Sequence, residues 1–192
     1  LKGYAMTKRI ILAVSGSISA YKAADLTSRL KKKGYDVHVI MTEAAQDFIT
    51  PLTLQVLSKN PVHTDVMEEK LAERINHIDL AKETDLFIVA PASANTIAKL
   101  AHGMADNMLT ATALALPSTT PKLIAPAMNT KMYENPLTKK NLKTLQEVGY
   151  QEILPKSGLL ACGDTGRGAL ADIAVIIESI DNALTRKGVY DE

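Results

Sequence analysis

The sequence predicts an α/β fold in which a doubly wound parallel sheet lies between two layers of helices, and three observations carry that prediction. Short, nearly continuous apolar runs, RIILAVS at 9–15 and DLFIVA at 85–90, have the character of strands buried on both faces. Helical stretches alternate with these runs through short connections, which implies right-handed crossovers. Polar, glycine-rich or proline-rich segments stand just after the strands, where sheets of this kind bind their ligands.

The elements follow in order. After the first strand, small and apolar residues recur from Ile18 to Lys33 at Ala20, Ala23, Ala24, Thr27 and Leu30, and Gly34 stands where a glycine would end a helix. Residues 36–42 (DVHVIMT) alternate as a second strand. One or two helical pieces occupy 43–58, broken where Pro51 disfavours helix at Thr50. The third strand, 85–90, runs into Pro91, and Ser93 is placed to cap a helix over 94–103. A helix over 107–116, a fourth strand over 122–125, a helix over 136–149, a short strand over 152–154 and a helix over 172–184 complete the chain. This order describes a three-layer sandwich, Rossmann-like or flavodoxin-like. No internal repeat, low-complexity tract or linker interrupts it, so 8–184 reads as one domain. Residues 1–7 read as a tag remnant and lead-in, and 185–192 as a C-terminal tail.

Composition narrows the function. The 192 residues carry 22 Lys and Arg against 21 Asp and Glu, dispersed except for Lys31-Lys32-Lys33, which leaves no electrostatic footprint for nucleic acid or an anionic membrane. The longest apolar stretches are far short of a membrane span, and the N-terminus has no long apolar signal segment. One cysteine, Cys162, excludes an intramolecular disulfide framework and points to a reducing, cytoplasmic location. His38, His63 and His102 have no partner at metal-ligand spacing, so no metal is expected.

Four loops should meet in one crevice: 15–17, 42–43, 91–96 and 126–129. Ser15-Gly16-Ser17-Ile18-Ser19 joins a strand to a helix, so its amides and hydroxyls suit an anion such as phosphate. The same loop serves as a plain tight turn with a cap, and it is neither a Walker A loop nor a full dinucleotide fingerprint. Ser93-Ala94-Asn95-Thr96 offers three hydrogen-bonding side chains at a second helix N-terminus, where one would suffice as a cap. His77, in Ile75-Asn76-His77-Ile78-Asp79, suits either a satisfied structural role or that of a general base. In Pro126-Ala127-Met128-Asn129 the methionine suits a core, whereas Asn129 suits orientation of a ligand carboxylate or amide. Cys162 sits in a loop with Gly163, Gly166 and Gly168, which reads as a mobile flap presenting a thiol as a proton donor.

Taken together, these motifs resemble the flavin-containing cysteine decarboxylases over about residues 8–184. The resemblance rests on the 15–22 loop, His77 with the 91–96 loop, Pro126-Ala127-Met128-Asn129-Thr130-Lys131-Met132, and the Cys162 loop, in that order and spacing. It implies a flavoprotein decarboxylase domain that binds FMN through Gly16, Ser17, Ile18, Thr42, Glu43, Ala44, Ser93, Ala94, Asn95, Thr96 and Ala127. It implies His77 as base for oxidation of the substrate thiol to a thioaldehyde, after which carbon dioxide leaves, and Cys162 as proton donor when the enethiol is reduced. Asn129 would hold the substrate carboxylate, and Leu159, Leu160 and Ala161 would line the substrate side of the flap. The flap matches the coenzyme A branch, whose substrate is phosphopantothenoylcysteine and whose members often carry a fused synthetase domain. This chain reads as a stand-alone decarboxylase that forms a homo-oligomer, a trimer or a dodecamer of trimers. The alternatives are a decarboxylase of C-terminal peptidyl cysteine, a non-catalytic regulatory flavoprotein and a flavin prenyltransferase-like protein. Two positions depart from the family pattern: Tyr133 stands where many relatives have Trp, and Arg167-Gly168-Ala169-Leu170 follows Gly166 where Gly-Arg-Met is common.

Overall fold

The computed structural model describes residues 6–68, 76–160, 162–163 and 165–190. The five-residue start of the proposed tag remnant, the flap residue Ala161 and the last two residues of the proposed tail lie outside them.

The chain begins with β1 (Arg9–Val14), a 3-10 turn over Ile18–Tyr21, α1 (Lys22–Lys32) and β2 (Asp36–Met41). One helix was expected over 18–33; its first turn is 3-10 because Ser17 caps it, the Ser17 hydroxyl accepting the Ser19 N–H at 3.2 Å. α1 buries Ala23, Leu26, Thr27 and Leu30, and Gly34, at φ +91°, ends it. A 3-10 turn (Ala44–Asp47) and α2 (Pro51–Ser58) follow as two pieces, with Thr50 extended as N-cap and Pro51 opening the helix.

Next come α3 (Asn76–Glu83), β3 (Leu86–Ala92), α4 (Ala94–Ala101) and α5 (Met108–Leu114). α3 was not expected. β3 runs two residues past the predicted end at Ala90, through Pro91, and every residue in it is buried. α5 opens on a capping box in which Asn107 Oδ1 accepts the Thr110 N–H and Thr110 Oγ1 accepts the Asn107 N–H. Then follow β4 (Lys122–Pro126), α6 (Thr130–Glu134), α7 (Pro136–Glu147) and β5 (Tyr150–Glu152). β5 lies two residues before the predicted 152–154, because pairing with β4 sets Lys122 opposite Tyr150 and Tyr150 is the buried residue. The chain ends with an antiparallel hairpin, β6 (Lys156–Leu159) and β7 (Thr165–Ala169), and α8 (Ile173–Tyr190). Residues 185–190 therefore continue α8 rather than form a separate tail.

The main sheet is parallel with strand order β2-β1-β3-β4-β5, the doubly wound flavodoxin-like arrangement. One core packs α1, α2 and α8 against alternate side chains such as Leu12, Val39 and Ile88. The other packs α3, α4, α5 and α7 against Ile11, Phe87 and Val89. Strand order reverses between β1 and β3, which puts the crevice for a ligand beyond Val14 and Ala92.

Candidate active site

A cavity of about 500 Å³ lies at this reversal, a size typical of cofactor sites. Three of the four predicted loops build it: Gly16, Ser17 and Ile18 after β1, Ser93 and Ala94 after β3, and Ala127 and Asn129 after β4. The loops of β1 and β3 are tied together, since Ser15 Oγ donates to the Pro91 carbonyl at 2.7 Å and accepts the Ser93 N–H at 2.8 Å. Two capped helical N-termini thus reach the cavity wall, through Ser17 and through Ser93, whose hydroxyl accepts the Thr96 N–H at 3.2 Å. The fourth predicted loop stands behind the first rather than in the wall. A Cβ on Gly16 would lie 2.6 Å from Ala44 Cβ, so glycine lets the two loops close on each other. Thr42 Oγ1 is occupied by the Ala45 N–H at 3.2 Å, Glu43 is exposed, Asn95 is exposed and Thr96 is buried. Thr42, Glu43, Ala44, Asn95 and Thr96 therefore line no part of the cavity.

The chemistry-bearing pair is Asn129 and Cys162. Asn129 is the N-cap of α6, and its Oδ1 accepts the Lys131 N–H at 2.8 Å. That bond fixes the amide orientation and turns Nδ2 toward the flap, where it donates to Cys162 Sγ at 3.1 Å. α6 is held from below by Tyr133, whose hydroxyl donates to Glu152 Oε1 at 2.6 Å while Lys139 Nζ sits 3.6 Å from the ring centroid. Burial pushes the Tyr133 phenol pKa up, and the bonded Glu152 carboxylate pushes it further, so the phenol keeps its proton.

The glycine-rich segment is a hairpin with a defined seat, where the sequence suggested a mobile flap. The Met128 N–H donates to the Gly168 carbonyl at 2.9 Å. A Cβ on Gly168 would lie 2.2 Å from the Met128 carbonyl oxygen, and one on Gly166 would lie 2.7 Å from the Thr130 side chain. Gly168 serves close approach of backbone to backbone and Gly166 makes room for the Thr130 side chain; Gly163, at φ +84°, serves the turn that carries Cys162. Leu159 and Leu160 line the cavity as predicted, and Leu159 is exposed.

His77 is in the first turn of α3 and lines no part of this cavity. α3 leads directly into the start of β3, so its N-terminus lies at the same end of the sheet as the cavity. Its Nδ1 is buried without a hydrogen-bond partner among the described residues, as is Asp79 Oδ2. Sequence reasoning did not assign Tyr21, Lys22, Met132 and Leu170 to the wall. Their signal was present in part: Tyr21 and Met132 are large apolar side chains, 59% and 49% exposed, beside loops already identified. Among the described residues no group of three or more His, Cys, Asp and Glu is placed to hold a metal ion. No helix of the described residues is long and apolar enough to cross a membrane.

The wall fits FMN. Serine-capped helical N-termini offer N–H groups to a phosphate, and Ile18, Met128 and Leu170 offer apolar surface to a flat ring system.

Comparison with known proteins agrees. A family model described as Flavoprotein matches residues 2–185. A probable phosphopantothenoylcysteine decarboxylase of Streptococcus mutans is 64% identical over 179 residues, covering 93% of this chain and 100% of that protein. The structure of a PPC decarboxylase mutant complexed with pantothenoylaminoethenethiol superposes with a TM-score of 0.82 at 34% identity, covering 92% of this chain and 97% of the other. The FMN-dependent cysteine decarboxylase SpaF also gives 0.82, at 30% identity over 94% and 97% of the two chains.

Proposed function

The chain belongs to the Flavoprotein family, and on that premise we propose that it is an FMN-dependent decarboxylase converting 4'-phospho-N-pantothenoyl-L-cysteine to 4'-phosphopantetheine and carbon dioxide in coenzyme A biosynthesis. The observation that supports this best is the Asn129 and Cys162 pair, 3.1 Å apart on the wall of a cavity at the sheet's switch point. Gly16, Ser17, Ile18, Ser93, Ala94 and Ala127 are the residues that would hold FMN. When bound, FMN supplies the two-electron oxidation of the substrate thiol and the matching reduction after decarboxylation.

The residues of the chain supply the rest. Asn129 Nδ2 is a donor held in place by the α6 cap, suited to binding the substrate carboxylate and aiming its C–C bond. Cys162 Sγ carries the proton given to the decarboxylated carbon, and the seated hairpin brings it there while Leu159 and Leu160 exclude water. His77 is the base for the oxidative step, and it does this across a subunit contact. In one chain it is off the cavity wall, and a homo-oligomer in which one copy's α3 completes its neighbour's cavity accounts for that placement. We place the activity in the cytoplasm, consistent with a sequence that holds one cysteine.

A peptide ending in cysteine would present the same reacting group, so substrate choice is the test. Holoprotein should release carbon dioxide from phosphopantothenoylcysteine and leave a C-terminal cysteine peptide intact, as read by mass spectrometry. Turnover of the peptide alone would reverse the assignment.

A further inference from the structure

The active-site cavity continues into a second recess. That recess, of about 410 Å³, shares Tyr21 and Lys22 with the cavity. On the facing wall the chain is also continuous, Leu170 lining the first space and Ala171 to Ala174 the second. A ligand held at Asn129 and Cys162 thus has one groove along which to extend.

Charge along this groove is unevenly spent. Arg29 binds Asp25 at 3.0 and 2.9 Å, and Lys156 binds Asp172 at 2.6 Å, so each carboxylate of the recess has its own cation. The Lys22 ammonium makes no hydrogen bond or salt bridge among the described residues; its charge adds to that of Lys156 in lowering the Asp172 pKa, and the Tyr21 ring centroid lies 5.9 Å from it. It is also the single charged side chain among the described residues that line the main cavity. The 18-residue α8 starts on the same wall, with the first-turn amides of Ile173 and Ala174 at its positive end.

We infer that Lys22, together with the N-terminal amides of α8, receives the terminal phosphate of the substrate and so sets specificity for the phosphorylated arm. The inference rests on the substrate proposed above, a cysteine amide carrying a phosphate monoester at its far end. The cysteine end is taken by Asn129 and Cys162, and the phosphate dianion at the other end of a flexible arm needs a cation whose hydrogen bonds are not already taken by a carboxylate. The serine-capped loops would hold the cofactor's own phosphate.

The test compares holoproteins carrying Lys22→Gln and Lys22→Arg with wild type on phosphopantothenoylcysteine and on its dephosphorylated form, measuring carbon dioxide release and bound flavin. The ratio of the two kcat/KM values should fall about tenfold or more in Lys22→Gln, the size of losing a charge-assisted hydrogen bond. The fall should appear in KM, and Lys22→Arg should restore most of it. An unchanged ratio in Lys22→Gln, or a wild type that does not discriminate between the two forms, overturns the inference alone. A colourless Lys22→Gln protein would move Lys22 to the cofactor and overturn it as well. If wild type acts on neither compound, the proposed activity fails and this inference falls with it.

Discussion

Replacing Gly168 with alanine tests how the hairpin governs the site. The new Cβ would lie 2.2 Å from the Met128 carbonyl oxygen, 3.3 Å from Thr130 N and 3.4 Å from the Asn129 carbonyl carbon. Carbon and oxygen in contact normally stay about 3.3 Å or more apart, so backbone has to move by about 1 Å. Overpacking of this kind costs about 1–3 kcal/mol and the lost Met128 N–H bond about 1 kcal/mol more. The seated state therefore loses about 2–4 kcal/mol relative to the unseated one, which at about 1.4 kcal/mol per tenfold shifts the equilibrium between them by about 30-fold or more. Because the seat also sets Cys162 against Asn129, kcat/KM for decarboxylation should fall clearly, by up to about that factor. Flavin content should be largely retained, since Gly16, Ser17, Ile18, Ser93 and Ala94 lie on the loops of β1 and β3 and, of the residues proposed to hold FMN, only Ala127 adjoins the displaced Met128. Gly158→Ala is the control: among the described residues nothing lies within 4 Å of its added Cβ, so activity should stay within about twofold, as for an ordinary surface substitution. The assay is steady-state carbon dioxide release with absorbance of bound flavin on the same samples. A Gly168→Ala protein with full flavin and wild-type kcat/KM would refute the role of the seated hairpin.

Three further outcomes follow from the geometry. Cys162→Ser should still release carbon dioxide but accumulate the unreduced enethiol, seen by mass spectrometry; normal product at the normal rate would remove Cys162 as the proton donor. Asn129→Asp keeps an oxygen to cap Lys131 N–H but turns the donor facing Cys162 into a carboxylate, so the thermal midpoint should hold while kcat/KM falls about 100-fold or more. The pH dependence of stability should show Asp36, at the opposite end of the sheet from the cavity. Burial raises its pKa, but hydrogen bonds from His38, Asn60 and Arg9 outweigh that and bring it from 3.8 down to about 2. A lowered carboxylate pKa contributes stability above its unfolded value, and that contribution is lost as pH falls from about 4 to about 2. The midpoint of wild type should therefore drop more steeply over that range than that of Asp36→Asn, and parallel curves would count against the network.

Much of the fold could be read from the chain because its strongest signals are local. The runs at 9–15 and 85–90 are apolar on both faces, and Ser93, Pro51 and Gly34 punctuate helices where cap chemistry requires them. Errors came where distant contacts decide. α3 was missed because its eight residues mix Asn, His, Asp, Lys and Glu with few apolar positions, and its burial comes from packing on α5. α6, five residues long, is set by the Asn129 cap and the Tyr133 bond to β5. β5 took its register from β4, with Ile153 N–H still donating to the Ile124 carbonyl at 2.8 Å.

The candidate site divides in the same way. Gly16, Ser17, Ser93 and Asn129 were legible because strand-to-helix loops of a parallel sheet converge, and Cys162 because its loop is rich in glycine. The tasks of Gly166 and Gly168 were not, since composition alone does not separate a glycine needed for motion from one needed for a close contact, with the Thr130 side chain at Gly166 and with backbone at Gly168. Lys22 passed unnoticed for a related reason. An exposed-looking lysine in the first turn of α1 gains meaning only when the wall of α8 closes opposite it.

The most direct test of the central claim is a mass balance on the flavin-loaded protein with phosphopantothenoylcysteine bearing carbon-13 in its cysteine carboxyl. Labelled carbon dioxide and 4'-phosphopantetheine should appear in equal amounts. Flavin-replete protein that leaves the labelled substrate unchanged would contradict the account.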